Sequence, residues 1–70
     1  MSTEPAAVAQ PKHPLYALTT SELRDYRRQL ERAIAYFDTM SPVPPARAEL
    51  KARLDEVLAE HDSRARIARA

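Results

Sequence analysis

Arg24, Arg28 and Arg32 recur at every fourth position with no acid in their own column. On a helix such residues share one side, and guanidinium groups there offer forked donors to the carboxylates of an acidic partner or to phosphates. Tyr36 lies near the same face and Asp25 on its margin. This is binding chemistry and not bond-making. The bland alternative is a solvated outer face, since charged outward positions are the norm for an amphipathic helix.

Other arrangements with a chemical look fail on geometry. His61, Asp62 and Ser63 contain the residue types of a hydrolytic trio, but neighbours on a helix point about 100° apart and cannot align as base, orienter and nucleophile. Glu56 and Glu60 can stand close together, yet a convex solvated helix supplies neither a cleft nor the low dielectric that tunes paired carboxylates for acid and base work. A zinc-binding His61 would want a second ligand one turn away, where Val57 and Ala65 stand instead. It reads as a residue at the edge of the core, and His13, between Lys12 and Pro14, as a solvated one. We therefore expect no enzyme, no cofactor, no metal and no small-molecule substrate.

Composition narrows the scaffold. Glycine is absent from all 70 residues, which removes phosphate-cradling loops of the Walker and dinucleotide types and most tight hairpin turns. Cysteine is absent too, so neither a disulfide framework nor a thiolate zinc site can staple a chain this short. With 11 basic and 10 acidic residues the net charge is +1. A dedicated nucleic-acid binder usually has a larger basic excess.

Met1 is followed by Ser, Thr and Glu and not by a basic, then apolar, leader. Nowhere do about 18 apolar residues run together as a membrane helix requires. The expectation is a soluble cytoplasmic protein without membrane partners.

Along the chain, residues 1–14 carry three prolines among small and polar residues and follow neither the helical nor the strand period. They read as a disordered Pro/Ala-rich arm. Leu18, Thr19, Glu22 and Leu23 then form a helix start, in which Thr19 and Glu22 cap each other's backbone N–H and Leu18 staples onto Leu23. Beyond it Leu23, Tyr26, Leu30, Ala33, Phe37 and Met40 alternate in steps of three and four, with Ile34 alongside, predicting helix over about 19–40 with one packed seam. Ser41-Pro-Val-Pro-Pro must interrupt it, because proline removes donors and bends the preceding residue out of the helical region.

Pro44 and Pro45 suit the opening turn of a second helix, over about 45–66. Its inner face carries Leu50, Leu54, Val57, Leu58, His61, Ala65 and Ala68. Arg27 with Glu31, Glu49 with Arg53, Lys51 with Asp55, Glu60 with Arg64 and Asp62 with Arg66 stand four apart and support helix by about 0.2 to 0.5 kcal/mol each.

The expected fold is thus all-α, an antiparallel two-helix hairpin over 15–70, coiled-coil-like, with Leu15, Tyr16 and Leu18 folding over its open end. Such a hairpin is small for its own support, and dimerisation into a four-helix bundle or assembly with another chain is expected. The leading functional expectation is a non-catalytic protein-interaction module, regulatory or adaptor, working through helix-to-helix contacts at Arg24, Arg28, Arg32 and Tyr36. The alternative is a dimeric nucleic-acid binder that pools the arginines of two subunits. A structural component of a larger assembly stands third.

Overall fold

The computed structural model describes residues 8–69, and the first half of the expected disordered arm, 1–7, lies outside them. A short 3-10 turn, Leu15–Ala17, leads into helix α1, Thr20–Phe37, and helix α2, Ala46–Arg69, follows. The two helices pack against each other, and among the described residues there is no strand.

The start of α1 follows from four residues. Thr19 stays extended and its hydroxyl accepts from the Glu22 backbone N–H at 3.0 Å, while the Glu22 carboxylate accepts from the Thr19 N–H at 2.8 Å. Two otherwise orphaned helix donors are thereby satisfied. Leu18 and Leu23, on either side of the cap, are both buried in the same core.

Helix α1 ends at Phe37, three residues before the Met40 expected from the apolar pattern. The reason is local competition for carbonyl groups. The N–H groups of Thr39 and Met40 bond to Tyr36 and Phe37 in the tighter three-residue step, and the Thr39 hydroxyl takes the Tyr36 carbonyl at 2.7 Å. Without glycine no left-handed cap is formed, and among the described residues no residue has positive φ. A tightening last turn is the remaining way to satisfy the terminal carbonyls.

Helix α2 begins one residue after the two prolines and runs to Arg69, beyond the expected Arg66. Arg47 in its first turn pairs with Asp38 at the end of α1, which closes the hairpin's turn with a cation beside the α1 carboxyl end, where the helix dipole favours it.

The core is one seam. Leu18, Leu23, Tyr26, Leu30, Ala33, Ile34, Leu50, Leu54 and Val57 are buried, with Leu23, Leu30 and Val57 sealed from solvent. Two expected seam residues depart from this. Phe37 is only partly buried because the turn opens beside it. Leu58 is 42% exposed, since it sits about 80° round the helix from Leu50 and only a wider interface would reach it. Ala65 and Ala68 are also exposed, because α2 outruns the shorter α1 at that end.

The five pairs that the sequence placed four apart all form ion pairs: Arg27–Glu31 at 3.9 Å, Lys51–Asp55 at 2.8 Å, Arg53–Glu49 at 3.2 Å, Arg64–Glu60 at 2.7 Å, and Arg66–Asp62. The molecule measures 45 × 25 × 14 Å. Among the described residues the helix pair is covered along one flank by the N-terminal segment, whose Val8 and Leu15 are partly buried against the core.

Candidate functional site

The outer surface of α1 is built by the same periodicity that buries its seam. Leu23, Leu30 and Ile34 point inward, so Arg24, Arg28 and Arg32 are left outside, all three exposed. None of them has an ion-pair partner among the described residues, whereas Arg27 is tied to Glu31. Four residues overshoot a helical turn by about 40°, so the row winds round α1 instead of running straight along it.

The winding divides the three arginines between two neighbourhoods. Arg24 comes close enough to the rim shared with α2 for its charge to act on His61. Arg28 and Arg32 flank a shallow cleft of about 240 Å³ with Asp25 and Gln29. Tyr36 is 42% exposed, and its ring lies 6.1 Å from that of Phe37, tilted by 44°. The aromatic group is thus placed at the far end of the basic row, half supported by the edge of the core.

On α2 the outward carboxylates Asp55, Glu60 and Asp62 are each engaged by a cation four residues away. Glu56 alone among the acids of α2 has no ion-pair partner within the described residues. The acids of this face are therefore largely neutralised locally, and the unpaired cations of the hairpin are concentrated on α1.

His61 lies between these regions. Its Nε2 is buried without a hydrogen-bond partner. Burial depresses its pKa below 6.5, and the positive charges of Arg27, Arg64 and Arg24 push the same way, with Glu60 opposing them. At neutral pH it is an uncharged member of the core edge. Glu22 is also held below the usual carboxylate value, by its hydrogen bonds to the backbone and side chain of Thr19. That shift expresses the helix cap.

Among the described residues no three His, Asp or Glu side chains gather as a metal cage, and no helix is long and apolar enough to cross a membrane.

Two residues in contact with the N-terminal segment escaped the sequence reading. Arg53 donates from Nη1 to the Val8 carbonyl at 3.0 Å, and Arg64 from Nη2 to the carbonyls of Leu15 and Leu18 at 3.1 and 2.8 Å. The available signal was a repeated Glu-x-x-x-Arg unit, Glu49–Arg53 and Glu60–Arg64, offset by eleven residues. Eleven residues are close to three whole turns, so both arginines share one edge.

No protein-family model, no curated protein and no solved structure matches this chain.

Proposed function

We propose that this chain is a small regulatory or adaptor module that docks an acidic protein surface on the outer face of α1, through Arg24, Arg28 and Arg32 with Tyr36 at one end. The observation that carries this reading is the contrast between the helices: three exposed α1 arginines have no ion pair within the described residues, while four of the five acids of α2 are already paired. Free cations in a row are available for a partner. Paired ones are not.

The geometry of the row also describes the partner. Side chains four apart form ridges inclined by about 26° to the axis, and two helices that mesh such ridges cross at about 50°. A helix bearing carboxylates at every fourth position therefore fits the row in a crossing arrangement. Its charges would chiefly speed encounter and fix register, with the exposed ring of Tyr36 adding apolar contact.

Association of the hairpin with a second copy or another chain belongs to the same reading. The exposure of Leu58 on the side away from Arg53 supports it. A cytosolic setting suits a cysteine-free chain.

The test is binding of a synthetic helix with glutamate at every fourth position, measured by calorimetry over a range of salt concentrations, with wild type and an R24E/R28E/R32E variant. Wild type should bind and the variant should not, at equal helix content by circular dichroism, because glutamate is about as good a helix former as arginine. Preferential binding of duplex DNA with a steep salt slope would replace this reading with the nucleic-acid one. Equal binding by wild type and variant would return the row to a solvated face.

A further inference from the structure

The segment that reads as an arm lies against the hairpin in its second half. Val8 and Leu15 pack partly buried against the core, and Leu18 is part of it. Yet no backbone–backbone hydrogen bond joins residues 8–18 to α2; within the described residues this segment's own bonds are the local ones of its 3-10 turn, Ala17 to Pro14 at 2.9 Å and Leu18 to Leu15 at 3.1 Å. What ties it to α2 is three side-chain donations, all from arginine.

Each arginine is prepared for this in the same way. Arg53 gives Nη2 to Glu49 and Arg64 gives Nε to Glu60, so one side of each guanidinium is braced within α2 and another nitrogen faces the segment. The two stand about 16 Å apart along the axis, on one edge. The seven residue steps from Val8 to Leu15 could span roughly 24 Å if fully extended, so the segment bridges the two arginines without tension. Pro11 and Pro14 have no N–H to satisfy, and carbonyl oxygens are what such a segment has to offer.

Packing between the segment and the seam is incomplete. Tyr26, Pro11 and His13 are among the walls of two open clefts, of about 400 and 220 Å³. A covering that is fixed at two points and loosely filled below opens more cheaply than the close-packed seam beside it.

We propose that residues 8–17 form a releasable strap, hinged at the buried Leu18 and latched to α2 by Arg53 and Arg64, which lifts while α1 and α2 stay packed and thereby uncovers the Tyr26 flank of the seam. Arg64 is the main latch, because it holds both carbonyls at the hinge end. Arg53 is the distal one. The device is independent of the basic face of α1, and its test does not involve any partner.

Amide hydrogen exchange on the full chain, followed by NMR, decides the matter. In wild type the amides of Ala17 and Leu18 should be protected at least about tenfold less than those of Leu30 and Leu54 and respond less to denaturant, as for an opening smaller than global unfolding. In R64Q they should exchange about tenfold faster still, the effect of losing hydrogen bonds to a charged group. In R53Q the amides of Ala9 and Gln10 should lose order on the fast timescale, with Ala17 and Leu18 unaffected. Equal protection and equal denaturant dependence of Ala17, Leu18, Leu30 and Leu54 in wild type would show that strap and hairpin open as one unit, and no acceleration at Ala17 and Leu18 in R64Q would show that Arg64 does not hold them. If R64Q does not fold, E60Q keeps the guanidinium and removes its brace. The same acceleration at Ala17 and Leu18, smaller in size, is then required of it, and its absence overturns the latch.

Discussion

Arg64 and Leu18, 46 residues apart in the chain, are joined by a 2.8 Å hydrogen bond from the guanidinium Nη2 to the backbone carbonyl. Leu18 is also the residue whose side chain enters the core just before the α1 cap. One arginine on α2 therefore ties down the residue just before the α1 cap. Replacing Arg64 with alanine should lower unfolding free energy by about 1.5 to 3 kcal/mol, as for hydrogen bonds to charged groups. The same change at Arg66, whose pair with Asp62 is well exposed, should cost below about 1 kcal/mol. Urea denaturation of the two variants gives the comparison.

Packing separates residues that looked equivalent by spacing. Leu30 is sealed in the seam, Phe37 is partly buried and Leu58 is 42% exposed. Leu30→Ala should cost about 2 to 5 kcal/mol, enough to unfold a domain of this size. Phe37→Ala should cost less than Leu30→Ala, and Leu58→Ala should stay within about 0.5 kcal/mol. Thermal melts followed by circular dichroism would show this order, and a Leu58 variant as unstable as the Leu30 variant would mean that Leu58 is buried in solution, as in an associated hairpin.

The reciprocal cap of Thr19 and Glu22 makes a third prediction. Thr19→Ala should cost about 1 kcal/mol, within the usual range for a lost cap. Because the folded state lowers the Glu22 pKa from 4.5, its contribution is full above that value and disappears as pH falls through the lower, folded pKa. Glu22→Gln should remove that acid-side component, which acid titration of stability would reveal as a smaller loss below about pH 4.5.

His61 sets a second pH dependence with its own window. Its folded pKa lies below 6.5, chiefly through burial, so below pH 6.5 the unfolded chain takes up the proton first. Stability should hold above 6.5, decline as pH falls toward the folded pKa, and stop declining from this cause below it. Melting temperatures between about pH 8 and pH 5 should show this decline in wild type and a flatter profile in His61→Gln. Identical profiles would place His61 in water.

What the sequence determined by itself is what depends on neighbours within a turn or two. The cap at Thr19, the apolar period of α1, the proline break and all five ion pairs spaced four apart were legible in it, because each is settled by residues three or four positions away whose geometry any α-helix supplies. The tertiary structure decided what depends on how far one helix covers the other. It left Leu58, Ala65 and Ala68 outside, since α2 is longer than α1 and the contact narrower than the apolar stripe. It also brought Arg53 and Arg64 to carbonyls at least 45 residues away. A side chain that recognises a backbone carbonyl leaves no complementary residue type in the sequence to be found, and only the folded chain places the two together.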